Sequence, residues 1–245
     1  MYQSIIKRLE EEKGRSIKSF LMIGQSNMAG RGELGEVPAI ENENCFMLRN
    51  GKWIPMSEPI NPDRAVVDFI YHSGVGLAAS FADSVSRDEG CMVGLIPCAD
   101  GGTVIEQWMP GEVLYDNAVM CAGFAMRSSQ LGGIIWHHGE SNCSGDIADY
   151  EKRTIEVLSS IRKALGAEDL PLIMGEISEN IDESWGCEGK MREMNRAIHR
   201  ISEALGRSAV ASSQGLALKP DGIHFTSAAA RIMGCRYFEE YKKLR

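Results

Sequence analysis

The sequence predicts an α/β fold in which a sheet of about five parallel strands is covered by helices on both faces. Two observations predict it. Short, almost uninterrupted apolar runs alternate along the chain with amphipathic stretches, and those runs have strand length. Such runs are typical of parallel strands, because the crossover helices bury both faces of a parallel sheet. The length of 245 residues, without a repeat or linker, predicts one domain over residues 1–245.

The first predicted elements are a helix, a strand and a hairpin. Residues 4–12 have the spacing of a short amphipathic helix, and the apolar run IKSFLMI at 17–23 predicts the first strand. A loop-rich stretch covers 29–75. Within it, CFMLRNGKWIPM at 45–56 contains the Asn-Gly pair that is typical of a β-hairpin.

Helices and strands then alternate. Residues 76–87 have helical spacing, CMVGLIPCA at 91–99 is a continuous apolar run, and 113–127 is predicted as a helix. LGGIIWHHG at 131–139 is the next predicted strand. The remaining predicted elements are a helix at 147–165, a strand at 170–177, a helix at 191–205, a strand at 208–212 and a helix at 226–241.

Composition limits the function classes. Hydrophobic residues make up 44% and charged residues 24%, the mix of a soluble globular protein. The formal net charge of −8 argues against nucleic acid or an anionic membrane as the main partner. The charged N-terminus has no apolar core of a signal peptide, and no apolar run approaches the ~20 residues of a membrane span. We therefore expect a cytoplasmic location.

The seven cysteines follow no metal-binding or disulfide pattern. Their number is odd and no C-x-x-C pair occurs. We expect reduced thiols packed as small hydrophobic side chains, and no zinc site. They lie at positions 45, 91, 98, 121, 143, 187 and 235.

Four glycine-marked polar segments stand where candidate strands end or near the C-terminus. In parallel sheets, ligands bind beyond the carboxyl ends of the strands, so we expect these segments to meet on one rim. They are Gly24-Gln25-Ser26-Asn27-Met28, Asp100-Gly101-Gly102-Thr103, His137-His138-Gly139-Glu140-Ser141-Asn142 and Asp221-Gly222-Ile223-His224.

The residue types in these segments fit nucleophilic catalysis. A serine hydroxyl needs a base to take its proton, and Ser26 stands between a strand and a helix start, where it could also be a simple helix cap. Asp221 precedes His224 by three residues, a spacing that lets the carboxylate reach Nδ1 of the ring. The backbone of Gly101 or Gly102 could donate to an oxyanion or only form a turn.

A metal site at His137-His138-Gly139-Glu140 is the weaker interpretation of that segment. Adjacent residues on a strand point to opposite faces, so His137 and His138 cannot easily bind one ion. His138 or Asn142 could instead donate a hydrogen bond to an oxyanion, and Glu140 could support the base.

The four segments resemble the consensus blocks of the SGNH hydrolase superfamily, and more narrowly the carbohydrate esterase family 6 and sialate O-acetylesterase group, which is related to acetylxylan esterases. The matching stretches are GQSNMAGRG at 24–32, GGTVIEQW at 101–108, WHHGESN at 136–142 and DGIHF at 221–225, with GVGLAASFAD at 74–83. The resemblance implies a three-layer, flavodoxin-like α/β/α fold without a metal or other cofactor.

The resemblance also implies roles for single residues. Ser26 would be the nucleophile, His224 and Asp221 would complete a triad, and the backbone N–H groups of Ser26 and Gly102 would form the oxyanion hole. His138 occupies a position that is usually glutamine, and it is the third oxyanion candidate. The supporting candidates are Gln25, Glu140 as an alternative acid, Asn142, and Arg31, which would contact substrate or brace its loop.

The predicted function is a serine esterase that removes O-acetyl groups from a carbohydrate, of acetylxylan or sialate type, through an acyl-enzyme. One alternative is an esterase or thioesterase of the same fold that acts on a non-sugar ester. Another is a non-catalytic carbohydrate-binding protein. Trp53, Trp108 and Trp185 lie in predicted loops and either stack on sugar rings or fill local cores.

Overall fold

A computed structural model of the chain describes residues 16–62, 72–187 and 189–245. In these residues a single sheet holds seven strands, in the order β3-β2-β4-β1-β5-β6-β7, where the numbers follow the chain. The strands are β1 (Ile17–Gly24), β2 (Cys45–Arg49), β3 (Lys52–Pro55), β4 (Met92–Pro97), β5 (Gln130–His137), β6 (Leu172–Gly175) and β7 (Ser208–Ala211). All neighbouring pairs are parallel except β2 and β3.

The predicted hairpin is present and extends the sheet. Asn50 and Gly51 both have positive φ, 48° and 74°, as a two-residue type I′ turn requires. β2 also pairs in parallel with β4, which the sequence did not indicate. Six strands therefore run in one direction, and the predicted number of about five is corrected upward.

Helices cover both faces of the sheet. Those of more than one turn are α2 (Leu77–Glu89), α3 (Val113–Ala125), α4 (Ile147–Ala164), α5 (Met191–Leu205) and α6 (Ser227–Lys242), and the single-turn helix α1 is Ser26–Ala29. Three further 3₁₀ turns are Ile105–Trp108, Glu140–Asn142 and Glu183–Trp185. The predicted helix at 4–12 lies outside the described residues.

Alternation along β1 explains the two apolar layers. Leu21 and Ile23 join the cluster that includes residues of α3, α4 and α5, whereas Phe20 and Met22 join the cluster of α2 and α6. Successive strand residues point to opposite faces, so a strand covered on both sides needs an unbroken apolar run. The three-layer α/β/α architecture is as predicted.

Polar side chains define the starts of two helices at the predicted positions. The Asp146 carboxylate accepts hydrogen bonds from the backbone of Ala148 and Asp149 before α4, and Thr226 Oγ1 accepts one from Ala229 before α6. Such caps satisfy N–H groups that have no partner in the first helical turn. The last cap directly follows the segment that contains His224.

The expectation of seven reduced thiols is wrong for one pair. Cys143 and Cys187 form a disulfide, with Cα atoms 5.2 Å apart and a sequence separation of 44. Nothing in the local spacing predicts this pair, because only tertiary folding brings the two segments together. Separately, no helix in the described parts of the chain is both long and apolar enough to cross a bilayer.

Candidate active site

The turn after β1 is shaped by Gly24. Its φ is 128°, and a Cβ atom there would overlap the carbonyl oxygen of His137. That oxygen accepts a hydrogen bond of 3.0 Å from the backbone N–H of Gln25. The close approach of the two strand ends places Ser26 at the first position of α1, where it is 5% exposed.

The turn that contains His224 is built around the Asp221 carboxylate. Oδ1 accepts hydrogen bonds from the backbone of Ile223 and His224, at 3.1 and 3.0 Å. Oδ2 lies 2.9 Å from Nδ1 of the His224 ring. Burial raises the pKa of Asp221, but the hydrogen bonds from His224 and Ile223 outweigh it and hold that pKa below its usual value. The ionised carboxylate favours a proton on Nδ1, which leaves Nε2 able to accept another.

Ser26 and His224 line one cavity of about 240 Å³. The two residues come from opposite ends of the chain, and the cavity lies at the carboxyl edge of the sheet, where β1 and β5 end. The structure thereby brings both candidate residues to one space. The other lining residues are Gln25, Arg31, Gly102, Glu140, Ser141, Trp185 and Ile223.

Asn27 connects three of the four glycine-marked segments, a role that sequence reasoning missed. Its Nδ2 donates to Glu140 Oε1 at 2.6 Å and to the carbonyl of Ile223 at 3.2 Å. Its Oδ1 accepts from the backbone N–H of Phe225 at 3.1 Å. No local signal marked this role, because all three partners lie more than 100 residues away along the chain.

Glu140 is a buried carboxylate held ionised by its neighbours. Burial raises its pKa, but the contact with His137 and the hydrogen bond from Asn27 outweigh burial and lower the pKa to about 2. His137 Nε2 lies 3.3 Å from Glu140 Oε1, a close polar contact that is not a well-aligned hydrogen bond. Of the two candidate acids, Asp221 contacts the His224 ring, and Glu140 contacts Asn27 and His137.

The two adjacent histidines lie on opposite faces of β5 and its continuation, as strand alternation predicted. His137 Nδ1 lies 3.0 Å from the Tyr237 hydroxyl of α6. The His138 ring is fully buried and stacks between Trp136 and Tyr150, with centroids 5.0 and 5.8 Å away. Among the residues the structure describes, no three His, Cys, Asp or Glu side chains are grouped to hold a metal ion.

Of the other oxyanion candidates, Gly102 lines the cavity, and His138 and Asn142 do not. Gly102 lines the cavity together with Ser26 and has a φ of 73°. The His138 ring does not reach that cavity, because its stacking partners hold it inside the layer between β5 and α4. Asn142 also faces elsewhere, since its Oδ1 accepts a hydrogen bond of 2.9 Å from the backbone of Ile105.

Arg31 and Gln25 both line the cavity and also hold its walls. The Arg31 guanidinium lies so close to Gly101 that a Cβ atom there would overlap it, and its Nη1 donates to the Gly30 carbonyl at 2.9 Å. Gln25 Oε1 accepts a hydrogen bond of 3.4 Å from the backbone of Gly139. Both side chains can therefore brace the loops and face a bound ligand.

The three tryptophans predicted in loops have different environments. Trp108 ends a 3₁₀ turn and is fully buried, with Nε1 donating to Thr103 Oγ1 at 3.0 Å. Trp53 lies in β3 and is buried, so the predicted loop is wrong for this residue. Trp185 is 46% exposed and lines the cavity. Its Nε1 donates to the Asp221 carbonyl at 2.9 Å. Only the third is placed to contact a ligand at this site.

Comparison with known proteins gives a family match over nearly the whole chain. A family model described as carbohydrate esterase, sialic acid-specific acetylesterase, matches residues 16–243. The probable carbohydrate esterase At4g34215 of Arabidopsis thaliana is 27% identical over 243 residues, which cover 91% of this chain and 89% of that protein. The solved structure of the Arabidopsis protein has a TM-score of 0.80 at 25% identity and covers 93% of this chain and 98% of its own.

More distant solved structures share the fold. A carbohydrate acetylesterase from Xanthomonas citri has a TM-score of 0.66 at 16% identity, over 93% of this chain and 56% of that one. An acetylxylan esterase from Geobacillus stearothermophilus has a TM-score of 0.57 at 12% identity, over 94% and 96%. At these identities the likeness concerns the fold, and it agrees with the SGNH-type α/β/α architecture predicted from the sequence.

Proposed function

Because this chain belongs to the carbohydrate esterase family described as sialic acid-specific acetylesterase, we propose that it removes O-acetyl groups from a carbohydrate with Ser26 as nucleophile. The membership confirms the family resemblance and makes the chain a carbohydrate esterase. One observation carries the finer proposal. Ser26 and His224 line the same cavity, and Asp221 holds the His224 ring by Nδ1.

The proposed reaction is acyl transfer through a covalent intermediate. Ser26 Oγ attacks the acetyl carbonyl carbon while His224 Nε2 takes the hydroxyl proton. The tetrahedral intermediate collapses, the sugar oxygen leaves, and His224 returns the proton to it. Water then attacks the acetyl-serine with His224 again as base, and the products are acetate and free Ser26. Asp221 stabilises the imidazolium that forms in each half-reaction.

The backbone N–H groups of Ser26 and Gly102 are the proposed oxyanion donors. Both residues line the cavity, and Gly102 has a left-handed backbone with nothing within 4 Å of the position that a Cβ atom would take. Each donor would contribute about 2.7–4 kcal/mol to lowering the barrier. His138 is left out of this proposal because its buried ring does not reach the cavity.

Asn27 and Glu140 are proposed to position the two reacting segments. The amide of Asn27 holds the backbone on both sides of His224 through Ile223 and Phe225, directly beside Ser26. The ionised Glu140 fixes the orientation of that amide by accepting from its Nδ2. If Asn27 or Glu140 shifts, the reaction becomes slower, because the nucleophile and the base must stay within hydrogen-bond reach.

Replacing the nucleophile tests the proposal. We expect Ser26→Ala to lower kcat for vinyl acetate by about 10⁶-fold, since the acetyl-enzyme can no longer form. Ser159→Ala, at an exposed serine on α4, is the matched control and should keep wild-type activity. Turnover by Ser26→Ala near the wild-type rate, with an unchanged circular dichroism spectrum, would remove Ser26 from the mechanism.

The substrate class is tested separately with wild-type protein. Acetate release is measured from mono-acetylated xylobiose, from 9-O-acetyl-N-acetylneuraminic acid and from vinyl acetate, with vinyl octanoate for comparison. We expect an acetylated sugar to have the highest kcat/KM and the octanoyl ester the lowest. Preference for the octanoyl ester would support the same-fold esterase on a non-sugar substrate instead.

A further inference from the structure

A second and larger cavity adjoins the candidate active site. Its volume is about 660 Å³, compared with about 240 Å³ for the first. Arg31, Trp185 and His224 line both cavities, whereas Ser26 and Gly102 line only the smaller one. His224 and Trp185 therefore stand at the junction, with the proposed nucleophile on one side and the larger space on the other.

The chemistry of deacetylation indicates which part of the substrate lies in each of the two cavities. After the attack, His224 gives its proton to the oxygen of the leaving sugar, so that oxygen must lie beside the ring. The acetyl carbon must lie at Ser26, in the small cavity. The rest of the sugar therefore extends past His224 on the side away from Ser26, which is where the larger cavity lies.

Hydrogen bonds and a disulfide hold Trp185 and its turn in place at the junction of the two cavities. Its Nε1–H is committed to the Asp221 carbonyl at 2.9 Å. Its own turn is fixed to the His224 turn through the hydrogen bond of 2.8 Å from the Asp182 backbone to the Gly222 carbonyl. Two residues further along, Cys187 is bonded to Cys143 beside the Glu140 turn. With its polar atom satisfied and 46% of its surface exposed, Trp185 offers an apolar face to a ligand.

Charged residues also line the larger cavity. Lys219 Nζ lies 2.6 Å from Glu33 Oε1 and donates to the Arg31 carbonyl at 2.7 Å. Both Lys219 and Glu33 line this cavity. A pyranose ring has one face of C–H groups and a rim of hydroxyls. An aromatic face and an ion pair that line one cavity match that pattern, since C–H groups pack on the indole and hydroxyls exchange hydrogen bonds with charged groups.

We propose that the larger cavity is the subsite for the sugar that loses its acetyl group, and that the ring of this sugar stacks on Trp185. The proposal rests on the function proposed above and adds where the leaving sugar lies and which side chain selects it. Trp185 acts on the sugar and not on the acetyl group. Its replacement must therefore affect sugar esters more than a small ester of the same acid.

The test compares substrates that share the acetyl group and differ in the alcohol. The kcat/KM of Trp185→Ala is measured with mono-acetylated xylobiose, 9-O-acetyl-N-acetylneuraminic acid and vinyl acetate. We expect the ratio of the better sugar ester to vinyl acetate to fall by about ten-fold or more, mainly through a higher KM, as for a buried aromatic contact. Trp185→Phe keeps a ring but loses the N–H, and it should stay within about three-fold of the wild-type ratio.

The Phe variant separates stacking from support of the triad. If Trp185 served only to hold Asp221 through its N–H, the Ala and Phe variants would lose the same activity on all three substrates, and that result would overturn the proposal. Phe124→Ala is the matched control, an aromatic residue 39% exposed on α3 that packs at the hairpin turn. It should keep the wild-type ratio.

Failure of this inference is distinguishable from failure of the proposed function. If the wild type hydrolyses the sugar esters through Ser26 and Trp185→Ala leaves the ratio unchanged, only the subsite is wrong. If the wild type hydrolyses neither sugar ester, the proposed function itself is wrong. Binding to Ser26→Ala, followed by tryptophan fluorescence with mono-acetylated xylobiose, adds a readout without turnover. The signal change should disappear in Ser26→Ala combined with Trp185→Phe.

Discussion

At the scale of single residues, burial decides the charge of His138. Burial lowers the pKa of this histidine to about 4, although the Glu140 carboxylate and the Thr103 backbone favour the charged form. The ring is therefore neutral at pH 7 and stacks between Trp136 and Tyr150 as a flat, largely apolar side chain. A glutamine, usual at this position in the family that the sequence resembles, would never titrate.

Replacing His138 should change how stability depends on pH. The folded pKa of about 4 is below the ordinary histidine value of about 6.5, so the unfolded chain binds the proton more readily. Above pH 6.5 the ring is neutral in both states and the free energy of unfolding is not reduced. As the pH falls from 6.5 towards 4, the unfolded chain takes up the proton first, and the free energy of unfolding decreases by up to about 3 kcal/mol. We expect the free energy of unfolding of His138→Gln to lack this decrease, as measured by urea unfolding between pH 7.5 and 4.5.

A second substitution separates titration from packing at this position. His138→Phe keeps an aromatic ring between Trp136 and Tyr150 but cannot bind a proton. Both variants should show the same shallower pH dependence, whatever their absolute stability at pH 7.5. Slopes equal to that of the wild type would show that His138 does not titrate in this range.

The candidate residues of the cavity that have a local signal could be selected from the sequence, and those defined by packing could not. Ser26, Asp221 and His224 stood out because each stands in a glycine-marked polar segment, and Asp221 is three residues from its partner. The role of Asn27 depends on hydrogen bonds to segments far away in sequence, so its neighbours in the chain could not reveal it. Trp185 likewise differs from Trp108 only in what surrounds it after folding.

At the scale of elements, the β1 turn depends on a close approach of two backbones. Gly24 has a φ of 128°, a region that is essentially restricted to glycine, and the His137 carbonyl occupies the place of a Cβ atom. The hydrogen bond from Gln25 to that carbonyl requires the same approach. The turn that presents Ser26 therefore cannot keep its geometry with any larger residue at position 24.

We expect Gly24→Ala to lower the free energy of unfolding by about 3 kcal/mol or more, since backbone strain and steric overlap add. Gly90→Ala is the matched control, because Gly90 ends α2 with a φ of 60° and nothing lies within 4 Å of its Cβ position. Its cost should be about 1 kcal/mol. Chemical denaturation of both variants measures the difference, and equal costs would contradict the overlap.

The periodic helices and the apolar strands were predicted well, and the 3₁₀ turns were not. The helix predicted at 191–205 is α5, Met191–Leu205, because its apolar spacing continues over four turns. The 3₁₀ turns such as Glu140–Asn142 are shorter than one period of any pattern. The parallel pairing of β2 with β4 was missed because the Asn-Gly turn indicates only the hairpin partner.

At the scale of the whole molecule, the segments of the candidate active site meet at one edge of the sheet. β1 and β5 end side by side, and the backbone N–H of Asp100, after β4, donates to the Gly24 carbonyl at 2.9 Å. Parallel strands place their carboxyl ends at the same edge of the sheet, so this convergence was predictable from the parallel sheet alone. The second cavity was not, because it depends on the loops that contain Glu33, Trp185 and Lys219.

The disulfide is a whole-molecule feature with a measurable consequence. Cys143 and Cys187 close a loop with a sequence separation of 44, which contains α4 and β6. Cross-linking a loop of this length restricts the unfolded chain, and the loop-entropy relation gives about 4 kcal/mol as the full effect. Oxidised protein should also titrate two fewer thiols per chain under denaturing conditions than reduced protein.

We expect dithiothreitol to lower the unfolding free energy of the wild type by about 2–4 kcal/mol. Cys143→Ala combined with Cys187→Ala should have the stability of the reduced protein and should not respond to dithiothreitol, because it lacks the cross-link. The bond joins the Glu140 turn to the Trp185 turn, so its loss should loosen the wall of the larger cavity before the core strands. Hydrogen exchange at 182–187, with β1 as internal reference, would show this order. Equal protection of that segment in both redox states would mean that packing alone holds the wall.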